Sequence, residues 1–117
     1  AMAGGITAAV ASVRATMPAY MRIEVETATL AQVDEAIAAR ADIIMLDNMS
    51  LDLMRQAVER IAGRAMTEAS GNVSVATIRA IAETGVDFVS AGAVTHSSQA
   101  LDISMRMHPV HCGCAAE

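Results

Sequence analysis

Lysine and tryptophan are absent from this chain, and aromatic residues amount to 2% of it. All eight basic side chains are arginines, set against thirteen acidic ones, for a net charge of −5. That balance excludes a general nucleic-acid or anionic-membrane binder, which needs a basic surface. Without aromatic bulk, the core has to be assembled from Ala, Val, Ile and Leu, with nine Met as filler. The two cysteines, Cys112 and Cys114, lie in the last six residues, so no disulfide framework holds the fold, and a cytoplasmic protein is expected. No apolar run approaches the roughly eighteen residues of a membrane span, and the first residues lack the basic flank of a signal peptide.

What is present is a chain of 117 residues, 54% apolar, enough for one domain with a real core. Its organising stretch is Ala41 to Asn48, A-D-I-I-M-L-D-N. Four apolar residues, Ile43 to Leu46, end abruptly in Asp47. Such a run reads as a strand buried on both faces, as in a parallel sheet covered by helices. A carboxylate at its end then sits where parallel α/β proteins place their chemistry.

Around it the pattern alternates. Residues 6–16 have helical spacing, with Pro18 ending the helix. Residues 21–26, M-R-I-E-V-E, alternate as a strand. Thr29, with Gln32 three residues on, forms a capping-box pattern for a helix running to about Arg40. Ser50 caps a second helix carrying Leu51, Met54, Val58 and Ile61, stopped at Gly63. A weaker strand over 65–69 leads to Ser70-Gly71-Asn72, and Ser74 caps a further helix that stops at Gly85. The last clear strand spans 87–91 and ends at Gly92. The 97–107 stretch is ambiguous between helix and strand, and residues 108–117 form an irregular tail.

Glu26, Asp47 and Glu68 fall 21 residues apart, each near a strand end. Repeated βα units imply an α/β fold with parallel strands and right-handed crossovers. Four strands are too few to close an eight-stranded barrel, so the expectation is either a partial (β/α) barrel, a half-barrel, or an open flavodoxin-like layer.

In such a sheet all strand C-termini share one edge. Thr29 and Ser50 already occupy the capping positions, leaving Glu26 and Asp47 free to hold sugar hydroxyls or a divalent metal. Ser70-Gly71-Asn72 and Ala91-Gly92-Ala93 are candidate phosphate cradles, because glycine lets backbone N–H groups approach an anion; either stretch also reads as an ordinary turn. Glu68 faces the cleft or the helices, depending on one residue of register, and reads equally well as a partner for a nearby arginine. His96 reads most simply as a loop residue, and His108, His111, Cys112 and Cys114 as tail rather than a zinc site.

The stretches I-E-V-E (23–26), A-D-I-I-M-L-D-N (41–48), E-A-S-G-N-V-S (68–74), A-E-T-G-V-D-F-V-S-A-G-A-V-T-H (82–96) and A-L-D-I-S (100–104) together resemble the quinolinate phosphoribosyltransferases. The resemblance is collinear from about Gly4 to Met107, and a molybdenum-transport paralogue shares much of it. It implies the C-terminal part of an open α/β barrel in a dimeric enzyme. That family joins quinolinate to phosphoribosyl pyrophosphate with Mg²⁺, releasing CO₂ and pyrophosphate and making nicotinate mononucleotide for NAD synthesis. Carried over by motif, Glu26 and Asp47 hold the ribose hydroxyls, Ser70, Gly71 and Gly92 contact phosphates, and His96 lies nearby.

The family's quinolinate-binding Arg, His and Lys residues have no counterpart among the motifs present. The resemblance therefore implies half of a phosphoribosyl site, inactive on its own, or alternatively a non-catalytic scaffold. A half-barrel is expected to expose the apolar inner face of its sheet and two unpaired strand edges, and so to self-associate.

Overall fold

The computed structural model describes residues 4–92. His96, the ambiguous 97–107 stretch and the 108–117 tail lie outside the described residues. The elements alternate: α1 (Ile6–Thr16), β1 (Glu24–Thr27), α2 (Leu30–Ala38), β2 (Ile43–Asp47), α3 (Leu51–Ile61), β3 (Met66–Ser70), α4 (Ile78–Ala82) and β4 (Phe88–Ser90).

The helix ends follow local chemistry. Met17 is extended at φ −91°, ψ 148°, the conformation a following proline enforces. Thr29 Oγ1 accepts from Gln32 N at 3.3 Å while Gln32 Oε1 accepts from Thr29 N at 3.1 Å, closing the expected capping box. Ser50 Oγ accepts from Leu53 N, and α3 ends with Ala62 and Gly63 both left-handed. The fourth helix is shorter than its pattern suggests. Ser74 and Thr77 exchange N–H···Oγ bonds of 2.9 and 3.3 Å, and Val75 packs on nothing at 97% exposed. Side-chain bonding of this kind competes with the helix, so 75–77 forms a turn and α4 starts at Ile78.

All four strands are parallel and pair in the order β1-β2-β3-β4. A uniform crossover hand with no reversal of order puts every helix on the same face. The strand-order reversal that defines a flavodoxin-like layer is absent among the described residues. Burial agrees. Thr27, Ile44, Leu46, Thr67 and Ala69 are buried toward the helices, while their strand neighbours are half-buried or exposed. Ile44 and Leu46 meet Val33, Ala36, Ala57 and Ile61, all fully buried, in one core. Alanines at the helix–sheet contact let α2 and α3 approach closely.

Two expectations are corrected. The central strand is buried on one face only, because no described element covers the other; Ile43 and Met45 are half-buried. Nor is that uncovered face apolar: it carries Glu24, Glu26, Asp47, Glu68, Ser70 and Ser90 among Ile43, Met45, Met66 and Phe88.

The opposite edge, where strands begin, is held by two aspartates in equivalent positions. Asp42, just before β2, accepts from Ile23 N at 2.8 Å; Asp87, just before β4, accepts from Thr67 N at 2.7 Å and Thr67 Oγ1 at 2.8 Å. The Ile23 amide, aided by Arg14 at 2.9 Å, keeps the Asp42 carboxyl below its ordinary value of 3.8. The Thr67 amide and hydroxyl do the same for Asp87.

Depressed carboxyl values stabilise the fold above the unfolded-state value, and the contribution disappears as pH falls from about 3.8 through the lower folded values. Asp87→Asn should therefore cost about 1 kcal/mol at pH 7 in denaturant melts, with the gap to wild type closing in acid. Leu46→Ala should cost about 3 kcal/mol at either pH, because it opens a cavity rather than removing a charge.

Candidate functional site

Strand register sorts the uncovered face into rows. Glu26 lies beside Met45, Met45 beside Glu68, and Glu68 beside Phe88. One step nearer the strand ends, Asp47 lies beside Ser70 and Ser70 beside Ser90. The 21-residue spacing is thus not the structural repeat. Glu24 pairs with Ile43 nineteen residues on, and Ile43 with Met66 twenty-three on. Glu26 and Glu68 share a row, and Asp47 stands one row further out.

From strand spacing and rise, the Cα atoms of Glu26 and Asp47 are separated on the order of 8 Å along the diagonal. That distance suits two carboxylates reaching different hydroxyls of one sugar ring. Ser70 and Gly71 follow on β3, and Gly92 follows β4 on the same edge. Five of the six candidate residues therefore share one face or edge, the sixth being His96, which lies outside the described residues. Glu68 faces the cleft, where Ser90 Oγ donates to its Oε1, so its partner is a serine rather than an arginine.

Three residues of the site escaped sequence reasoning. Glu24 lies two before Glu26 and therefore on the same face, a signal the strand alternation contained. Burial and the neighbouring Glu68, by repulsion and by hydrogen bonding, raise the Glu24 carboxyl above its ordinary value of 4.5. Ser90 becomes significant only once the register sets it beside Ser70. Asn48, left-handed at φ 52°, donates from Nδ2 to Asp47 Oδ2 at 3.0 Å and accepts at Oδ1 from Asn72 Nδ2 at 3.0 Å.

No three His, Cys, Asp or Glu side chains gather as a metal site among the described residues. A cavity of about 880 Å³ lies at the opposite edge, lined by Arg22, Arg40, Arg64, Asp42 and Asp87 among others. Size does not make it the site. Helices α2 and α3 end there, and Arg64 Nε donates to the Ile61 carbonyl at 3.1 Å, so that this cation offsets charge at the end of α3.

A family model described as quinolinate phosphoribosyl transferase, C-terminal domain, matches residues 1–106. The chain belongs to this family. It is 49% identical over 108 residues to a probable nicotinate-nucleotide pyrophosphorylase [carboxylating] of Synechocystis, covering 90% of this chain and 37% of that protein. It is 44% identical to the chloroplastic nicotinate-nucleotide pyrophosphorylase [carboxylating] of Arabidopsis thaliana, covering 90% of this chain and 35% of that one. Among solved structures, the nicotinate-nucleotide pyrophosphorylase of Francisella tularensis superposes with a TM-score of 0.76 at 45% identity, over 80% of this chain and 33% of that chain. NadC from Streptococcus pyogenes does so with a TM-score of 0.76 at 46% identity, over 89% and 36%. This quinolinate phosphoribosyltransferase domain thus spans about a third of the length of its relatives.

The raised Glu24 carboxyl gives a test of the acidic face. An acid whose folded value is raised loses stability as pH climbs from about 4.5 through that value. Glu68→Gln removes the like charge, so it should increase stability at pH 7, by less than about 1 kcal/mol for so exposed a pair, and flatten the decline. Thermal melts from about pH 4, near the ordinary carboxylate values, up to about pH 8 read both effects.

Proposed function

We propose that this chain supplies the phosphoribosyl-holding part of an enzyme that makes nicotinate mononucleotide from quinolinate and phosphoribosyl pyrophosphate, releasing CO₂ and pyrophosphate. The observation that carries the reading is the row Asp47, Ser70 and Ser90 at the strand ends, with Glu26 on the diagonal and Gly71 and Gly92 beside it. Carboxylates accept from ribose hydroxyls, and glycine-rich strand ends offer backbone N–H groups to phosphate oxygens. Family membership and relatives named for this reaction support the same assignment.

Mg²⁺ fits this arrangement as a partner of the substrate. It is ordinarily held by one or two carboxylates together with substrate phosphates, not by an all-protein cage. Asp47, half-buried beside Ser70, is the carboxylate best placed to share it. The ion would offset charge on the pyrophosphate; the chain's own part is to fix the ribose and the 5′-phosphate. His96 completes the proposed set.

The site is one-sided. The uncovered face brings four carboxylates, and the eight arginines and no lysines of the chain supply it with no ion pair among the described residues. Quinolinate carries two carboxylates that need bidentate cationic partners. Those cations have to come from other parts of the enzyme or from a dimer partner, which makes the isolated chain inactive while leaving it able to bind phosphoribosyl pyrophosphate. Closure into a barrel, a homodimer and a cytoplasmic location belong to the same reading. No described helix is long and apolar enough to cross a membrane.

Calorimetric titration of the chain with phosphoribosyl pyrophosphate and Mg²⁺ tests the proposal. Saturable binding is expected, reduced about tenfold or more by Asp47→Ala, the loss of a charged hydrogen-bond acceptor. A folded chain that binds nothing would make it a non-catalytic scaffold.

A further inference from the structure

We infer that Asn48 is a positioning residue for the Asp47 carboxylate, and that Gly71, whose left-handed backbone already favours glycine, also leaves the space beside it that the Asn48 amide occupies. The inference builds on the reading of Asp47 as a ribose-binding group, but its geometry stands independently of any ligand.

A carboxylate only accepts hydrogen bonds. The orientation of the Asn48 amide is therefore dictated: its Nδ2 must face Asp47 Oδ2, at 3.0 Å, which turns its Oδ1 toward a donor. That donor is Asn72 Nδ2, also at 3.0 Å. Polarity is thus passed from the Asp47 carboxylate to Asn48 and from Asn48 to Asn72, and the chain of donors holds the carboxylate in one orientation.

The backbone supports the same arrangement. Asn48 N donates to Ser70 O at 3.0 Å, tying the first residue past β2 to the end of β3. Asn48 at φ 52° and Asn72 at φ 53° both occupy the left-handed region, which asparagine tolerates better than most residues. Between them Gly71 sits at φ 85°. A Cβ there would lie 2.3 Å from Asn48 Oδ1, 2.6 Å from Cγ and 2.9 Å from Nδ2. Any side chain at position 71 would expel the Asn48 amide from its place. The glycine thereby gives Asn48 its room, independently of any approach to phosphate.

The functional consequence is preorganisation. Asp47 ends its strand with one side against Ser70 and the other open, and without a brace its carboxylate would sample several rotamers. Asn48 removes that freedom before a ligand arrives, so less is lost on binding.

The test uses the full 117-residue chain, isotope-labelled, as wild type, Asn72→Ala, Asn48→Ala, Gly71→Ala and the Asn48→Ala/Gly71→Ala double variant. Carbon-detected NMR of the Asp47 carboxyl resonance needs no ligand. Asn72→Ala should shift that resonance and the Asn48 side-chain amide while core amides such as those of Ile44 and Leu46 stay in place. In titrations with phosphoribosyl pyrophosphate and Mg²⁺, Asn72→Ala should bind about fivefold more weakly, the loss expected for one neutral hydrogen bond. Gly71→Ala should weaken binding in the wild-type background and cost less in Asn48→Ala, where the obstructed amide is gone and only the backbone strain of an alanine at φ 85° remains. An Asp47 resonance unmoved in both asparagine variants, or additive effects of Gly71→Ala and Asn48→Ala, would overturn the inference. If the wild-type chain binds nothing, the ribose reading falls, while the carboxyl resonance still decides the role of Asn48.

Discussion

The fold depends on the parity of β2. Ile44 and Leu46 turn toward the helices and are fully buried; Ile43, Met45 and Asp47 turn the other way. Because the neighbouring strands pair with β2 in parallel, that choice is copied across the sheet: Thr67 and Ala69 follow Ile44 and Leu46 inward, and Ser70 follows Asp47 out. A slip of one residue would drive Asp47 and Glu68 into the aliphatic core, at a cost of several kcal/mol for each unpaired buried charge. Packing and the site are therefore specified by the same alternation. The helices need no information about the site; they need only fill one side.

Much of this was legible in the chain. The capping chemistry of Thr29 with Gln32 and of Ser50 is local, acts within one turn, and places α2 and α3 as read. Proline 18 and Gly63 end helices for equally local reasons. The strand ends at Asp47 and Ser70 also emerged, because an apolar run broken by a polar residue marks where a parallel strand meets solvent; the last strand, read over 87–91, is shorter and spans Phe88–Ser90. What stayed hidden was relational. The spacing of Glu26, Asp47 and Glu68 suggested three equivalent carboxylates, whereas α2 and α3 with their loops differ in length and set the register off the numerical period. The polarity of the uncovered face was hidden for a similar reason. Half of an aliphatic-looking strand can face carboxylates on its neighbours, and only pairing reveals it.

The two edges of the sheet do different work with similar residues. At the strand starts, Asp42 and Asp87 are consumed by backbone amides of the preceding strand, and their depressed carboxyl values record that structural use. At the strand ends, Glu26 accepts no hydrogen bond among the described residues, and Asp47 only the one from Asn48. The contrast separates aspartates that hold the fold from carboxylates left available for a ligand. It also explains why the cavity of about 880 Å³, lying among the former, is a poor guide to chemistry here.

The mixed character of the uncovered face has a colloidal consequence. Ile43, Met45, Met66 and Phe88 form enough apolar surface to invite two copies to stack, and an aliphatic half-sheet would do so indiscriminately. The interleaved Glu24, Glu26, Asp47 and Glu68 act as gatekeepers: stacking two such faces would confront eight carboxylates in a poorly hydrated layer. Like charge thus keeps the face from closing on its own copy, and the carboxylates that line the candidate site also hold it open.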